Sequence, residues 1–251
     1  MRDGPAGQDA ATREEVIAAN LATVRSRIAA ACEAAGRPPG GVTLIAVTKT
    51  FPASDVRLLA GLGVLDIGEN RDQEAAPKAA ACAGLEPPVR WHFVGQLQAN
   101  KVKSVVRYAD VIHSVDRPHL VDVLGRRAMA AGRRLTCLVQ VDLDEAPGHE
   151  TVSGAPRGGA LPADVPGLAD AIAAQNGLVL GGVMAVAPLG VPPRPAFRRL
   201  ADVAAVVRAE HPGAMMISAG MTGDLEEAIA EGATHVRVGT ALLGGRAVLV
   251  R

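Results

Sequence analysis

Aromatic residues are nearly absent from this 251-residue chain, which has three Phe, one Tyr and one Trp. A stacking platform for single-stranded nucleic acid needs several such rings, so that class is excluded. The core must instead be built from Val, Leu, Ile and Ala. Net charge is absent too, since 26 basic residues balance 26 acidic ones, and nothing in the overall balance attracts nucleic acid or an anionic membrane. No apolar run is long enough to span a bilayer. The first residues, MRDGPAGQDAATREE, lack the apolar stretch of a secretory signal, so a cytoplasmic protein is expected. Cys32, Cys82 and Cys137 are odd in number, far apart and without C-x-x-C spacing; they read as reduced thiols rather than metal ligands. H-E-x-x-H, G-x-S-x-G, G-x-G-x-x-G and Walker-type loops are all missing, and no metal site is expected.

What is present is a rhythm. Residues 1–11 read as a disordered leader. Thr12-x-x-Glu15 is a capping box, followed by Ile17, Leu21, Val24, Ile28 and Ala31 at helical spacing until Gly36 and Pro38. Strands are then expected over 42–48, 64–68, 89–94, 111–115, 135–143, 178–187, 214–218 and 235–238. Helices are expected between them, over 54–61, 72–83, 97–108, 118–131, 166–175, 196–210 and 224–231, with a stub at 241–245. The stretch 144–164 is rich in Gly, Pro, Ser and charge and has no period; it reads as a mobile, disordered surface loop or lid. Eight strands alternating with helices fit a single (β/α)8 TIM-type barrel over 12–251 with an extra N-terminal helix, a doubly wound open sheet being the alternative. The extra helix would fill the place beside the short final stub or cap the barrel bottom.

In such a barrel, chemistry gathers where strands end. The first strand runs into Lys49 within VTLIAVTKTFP. A lysine half-enclosed at a barrel mouth is a nucleophile for aldehydes, or else it merely ends the strand and reaches water. Ser218-Ala-Gly-Met-Thr222 and Gly239-Thr240 are small-residue turns opening helices after strands seven and eight, where barrels hold phosphates on bare N–H groups. Alternatively, Thr222 and Thr240 only cap their helices. His92 and His113 read as hydrogen-bonded core residues, with acid–base roles as the alternative. The Lys101, Lys103 and Arg107 face reads as solvated.

The ordered set IAVTKTFP, DIGENRDQE, WHFVGQLQANK, HSVDR, GGVMAV, ISAGMTGDLEEAI and HVRVGTALLGGR resembles the pyridoxal phosphate homeostasis protein family. That family is related to the barrel domain of alanine racemases, and the resemblance covers about Thr12 to Arg246. It implies a (β/α)8 barrel binding pyridoxal 5′-phosphate, with Lys49 forming the internal aldimine. Ser218, Gly239 and Thr240 then correspond to positions at the phosphate, Arg237 to the arginine facing the pyridine nitrogen, and Asn70 to a residue near the ring; Gly220 is counted among the cofactor-binding residues. The family reading implies a monomer that buffers the cofactor or delivers it to PLP-dependent apo-enzymes, with no catalytic residue. An amino-acid racemase is the alternative. Ala219 stands where Met is frequent and Thr222 where Ser is frequent, and the 144–164 loop is longer than usual. A permanently charged Arg237 beside the ring nitrogen disfavours ring protonation, and Tyr108 is the single tyrosine. Both features argue for a cofactor that is held rather than turned over.

Overall fold

The computed structural model describes residues 11–144 and 158–245. Its eight strands are β1 (Thr43–Val47), β2 (Asp66–Glu69), β3 (Arg90–Phe93), β4 (Val111–Val115), β5 (Leu135–Gln140), β6 (Leu178–Met184), β7 (Met216–Ser218) and β8 (His235–Val238). They pair in parallel, each with the next, and β8 closes back onto β1 through Thr43–His235 and Ala46–Val238. The helices are α1 (Arg13–Ala34), α2 (Ala53–Gly61), α3 (Asp72–Ala81), α4 (Val102–Val105), α5 (Pro118–Ala130), α6 (Val165–Ala173), α7 (Pro193–Glu210), α8 (Leu225–Ala230) and α9 (Thr240–Leu243). This is the closed (β/α)8 barrel expected from the alternation, and not an open doubly wound sheet.

The capping box forms as expected. The Thr12 hydroxyl accepts from the Glu15 amide while the Glu15 carboxylate accepts from the Thr12 amide, satisfying two otherwise unpaired donors at the start of α1. The buried face of α1 is Ile17, Leu21, Val24 and Ile28, each worth about 1.5–3 kcal/mol when removed from water. That face lies in one cluster with Val56, Leu59, Leu225, Ile229 and Leu242. The extra helix therefore takes the place beside the short α9, in the ring between α8 and α2, rather than capping the bottom.

Two expected elements differ. The helix expected over 97–108 contracts to Val102–Val105 after a 3-10 turn at Ala99–Lys101, in a segment where β-branched valines and Ser104 are weak helix formers. All but the last residue of the expected 1–11 leader and most of the 144–164 loop lie outside the described residues. The described end of that loop is ordered by backbone pairing: the Ala160 amide donates to Gln140 O and the Asp142 amide to Ala160 O, and a 3-10 turn follows at Pro162–Asp164.

The barrel interior is divided. On one side Val111, Leu138 and Met184 pack together. On the other, Asp66, His92, His113, Ser218 and Arg237 are linked by hydrogen bonds. Since β4 and β7 are not neighbours in the sheet, the 3.0 Å link from His113 to Ser218 crosses the lumen.

Candidate functional site at the barrel mouth

A cavity of about 400 Å3 opens where β1, β2 and β8 end, lined by Lys49, Phe51, Asn70, Met221, Thr222, Arg237, Gly239 and Thr240 among others. That volume suits a small molecule or cofactor. Lys49 follows the end of β1 after one intervening residue, Thr48, and is exposed, not half-enclosed as the strand composition suggests. It makes no hydrogen bond or ion pair among the described residues. Its case as a nucleophile therefore rests on position and freedom from partners, not on burial.

The backbone that presents Lys49 is clamped from behind. Thr48 is fully buried; its hydroxyl donates to Glu69 at 2.5 Å and its carbonyl accepts from Lys78 at 2.8 Å. Lys78 also ion-pairs with Glu69. Burial pushes the Glu69 carboxyl up, although the Lys78 and Thr48 hydrogen bonds oppose this. Thr50 adopts a left-handed φ of 69°, an uncommon state for a β-branched residue, while its amide donates to Glu74 at 2.8 Å. The lysine thus projects from a turn fixed on both sides.

Asn70 follows β2, and its Oδ1 is buried without a hydrogen-bond partner among the described residues. Its carbonyl lies so close to Gly95 that a Cβ there would sit 2.1 Å from it, so only glycine fits. Arg237 forms the floor. It is buried, donating to Ser218 O at 2.7 Å, Ser218 Oγ at 2.6 Å and Ala185 O at 2.8 Å. Burial brings its pKa down to about 10, with Asp224 opposing that fall, so it stays cationic at neutral pH.

The turns after β7 and β8 form the opposite wall. Thr240 begins the four-residue α9, with Gly239 at the N-cap position, so its first amides lack intrahelical acceptors. Helix α1 holds this piece in place: Asn20 donates to Leu242 O and Arg13 to Leu243 O. The β7–α8 turn is held likewise, as Arg27 donates to Thr222 O at 2.9 Å and pairs with Glu226.

Of the residues singled out from sequence, Lys49, Asn70, Arg237, Gly239 and Thr240 share the cavity wall. Ser218 and Gly220 do not line it. The Ser218 hydroxyl turns inward to His113 and Arg237. Gly220, at φ 88°, is where the turn presses on α8, and a Cβ there would meet Ala228 Cβ at 2.7 Å. The amide of Met221 is not bare, since it donates to Asp224 Oδ1 at 2.6 Å. Neither threonine is the N-cap: Asp224 and Gly239 occupy those positions. Sequence reasoning missed Phe51, Met221 and Gly223 on the wall; their places next to Lys49 and within the SAGMT turn were the available signal. It read His92 and His113 as hydrogen-bonded core residues, and the bonds to Asp66 and Ser218 bear this out.

The family model for the alanine racemase N-terminal domain matches residues 19–247. A Mycobacterium tuberculosis protein named pyridoxal phosphate homeostasis protein is 45% identical over 252 residues, covering 93% of this chain and 94% of that protein. The chain belongs to the pyridoxal phosphate homeostasis protein family. The structure of PipY from Synechococcus elongatus with PLP bound is 36% identical with a TM-score of 0.76, covering 91% of this chain and 100% of that one. Alanine racemase from Corynebacterium glutamicum, at 16% identity and a TM-score of 0.66 over 95% of this chain and 63% of that one, shares the fold. Within the family fold, the mouth brings together an amine and an amide oxygen that are both unpartnered among the described residues, a buried guanidinium and the first turn of a helix. These can capture a carbonyl, accept a hydrogen bond, face a ring and receive an anion.

Proposed function

We propose that this chain binds pyridoxal 5′-phosphate at the barrel mouth through Lys49 and serves intracellular homeostasis of that cofactor, holding it without turnover. Pyridoxal phosphate supplies an aldehyde that an amine captures reversibly, together with an aromatic ring and a phosphate. The residues present fit it. Lys49 offers an amine without a partner among the described residues, the unpartnered Asn70 Oδ1 could accept a hydrogen bond from the cofactor, and Arg237, lining the same cavity, would face its ring nitrogen. The first turn of α9 suits the phosphate, with Gly239 and Thr240 in place of basic side chains.

One observation carries the claim that the cofactor is held rather than used. Among the described residues lining the cavity, Lys49 and Arg237 are the only titratable side chains. Two-sided proton transfer needs a second acid–base group within hydrogen-bond reach of the reacting carbon, and Arg237 is committed to Ser218 and Ala185. Tyr108 lies elsewhere, in a groove on the barrel flank with Cys82 and Trp91. Its hydroxyl is held 3.5 Å from Asp72, and burial pushes its pKa upward. The recipients of the cofactor are PLP-dependent apo-enzymes, which the chain serves as a monomer.

The test is the absorbance of the purified protein with pyridoxal 5′-phosphate. Wild type should acquire a visible band that borohydride fixes to the chain, and Lys49→Ala should lose it. Exchange of amino-acid α-hydrogens should be no faster than with the free cofactor. A wild-type protein that stays colourless after reconstitution would sink the binding claim, and rapid exchange lost in Lys49→Ala would replace it with a racemase.

A further inference from the structure

Arg237 is buried, yet among the described residues no carboxylate touches it; its partners are two carbonyl oxygens and the Ser218 hydroxyl. A buried cation without a counter-charge is costly. Asp224 acts on the cation only at a distance, without a hydrogen bond to it; the hydrogen-bonded route to an anion runs down the lumen. Ser218 Oγ lies 3.0 Å from His113 Nδ1, His113 Nε2 lies 2.9 Å from His92 Nδ1, and His92 Nε2 lies 2.8 Å from Asp66 Oδ1. Asp66 opens β2 at the bottom of the barrel, where it lines a second cavity of about 300 Å3.

We propose that Asp66 is the counter-charge of Arg237, delivered across the barrel through His92, His113 and Ser218, and that these four are positioning residues for the guanidinium. The directions of all four hydrogen bonds are fixed from both ends. A guanidinium only donates, so Ser218 Oγ accepts from Arg237 and its own proton goes to His113 Nδ1. His113 then carries its proton on Nε2 and donates to His92 Nδ1. His92 carries its proton on Nε2 and donates to the carboxylate, which only accepts. Starting from Asp66 gives the same assignment, and every donor meets an acceptor. Reversing any one link sets a lone pair against the carboxylate or leaves the Ser218 proton without an acceptor.

The chain requires both histidines to be neutral. His92 faces Asp66, Asp110 and Arg90, and His113 faces His92, His235, Arg237 and Arg90. Burial, the largest influence, lowers both, and lowers His113 the more. Burial works against the Asp66 charge, but the His92 hydrogen bond and the neighbouring Arg90 and His235 outweigh it and keep the carboxyl lowered. Because Arg237 keeps its proton at the upper end, the chain conducts nothing. It is a one-way support that satisfies the cation from below and leaves the upper face of the guanidinium open to the mouth.

That this face meets a pyridine ring rests on the functional reading above; the chain itself does not, and its test uses cofactor-free full-length protein. Nitrogen-15 spectra of the imidazoles should show His92 and His113 as neutral Nε2–H tautomers at neutral pH, each titrating below the ordinary value of 6.5. A His113 proton on Nδ1, or either ring titrating at its ordinary value, overturns the proposal. A double-mutant cycle supplies the charge readout. Asp66→Asn, which keeps the acceptor and removes the charge, should lower the folding equilibrium constant about tenfold beside Arg237 and under about twofold in the Arg237→Gln background. Equal losses in both backgrounds overturn the counter-charge assignment. Should Arg237→Gln fail to fold, the tautomers of the wild type still decide. Loss of labelling at Lys49 would defeat the cofactor reading and leave these results untouched.

Discussion

Strand β2 carries two carboxylates three residues apart, Asp66 half-buried and Glu69 buried, on opposite faces of the sheet, and they deal with cations in opposite ways. Glu69 points outward to α3 and meets Lys78 directly, both side chains nearly fully buried. Asp66 points into the lumen and, on the proposal above, serves Arg237 through three neutral groups. The compact pair neutralises itself and spends its hydrogen bonds on Thr48, fixing the turn that presents Lys49. The extended chain leaves one side of its cation uncovered toward the cavity. The contrast shows how a neutral interior can support a mouth whose two titratable groups are both cationic: one charge is consumed for structure and the other is kept available.

The largest effect should come from breaking the compact pair. Lys78→Met leaves Glu69 buried beside Thr48 alone, and should cost about 3–5 kcal/mol in urea unfolding; a loss under about 1 kcal/mol would show that the pair does not hold this corner. Ser218→Ala should cost less, about 1–3 kcal/mol, because it leaves a guanidinium N–H and a histidine nitrogen short of partners without stranding a full charge. Acid should separate the two regions next. Burial holds His92, His113 and His235 below their ordinary value of 6.5, with His235 down at about 4. The unfolded chain takes up those protons first, so stability is complete above 6.5 and falls as pH drops toward 4. The slope is at most about 1.4 kcal/mol per pH unit per histidine. His235→Gln should flatten this slope in a thermal-melt series, and an unchanged slope would remove His235 from the account. The smallest effect belongs to an exposed pair: Arg194→Ala, which removes the bond to Glu231 at 2.6 Å, should shift stability by no more than about 1 kcal/mol.

The barrel was legible because its signal is periodic. Strands without internal proline alternated with capped helices, and Lys49, Gly239 and Thr240 could be placed at strand ends by counting. What could not be read was direction. Ser218 and Thr222 both looked like phosphate ligands, yet one hydroxyl turns inward to His113 and the other residue lines the wall. That choice is made by the lumen, where β4 and β7 meet across a distance of 105 residues in sequence, and no local pattern reports it. Lys49 was expected to be half-enclosed from the apolar strand before it; the left-handed Thr50 turn lifts it into the open instead. The short α4 was missed for a similar reason, as the apolar spacing of 97–108 marks burial of Leu97, Val102 and Val105 without requiring one continuous helix.

The central claim is that Lys49, at the mouth without a partner among the described residues, captures the cofactor while Lys78 is spent on structure. Peptide mapping by mass spectrometry, after loading wild-type protein with pyridoxal 5′-phosphate and reducing with borohydride, addresses both halves at once. The account expects a single adduct on the peptide bearing Lys49 and none on that bearing Lys78. An adduct distributed over several lysines, or confined to a site other than Lys49, would contradict it.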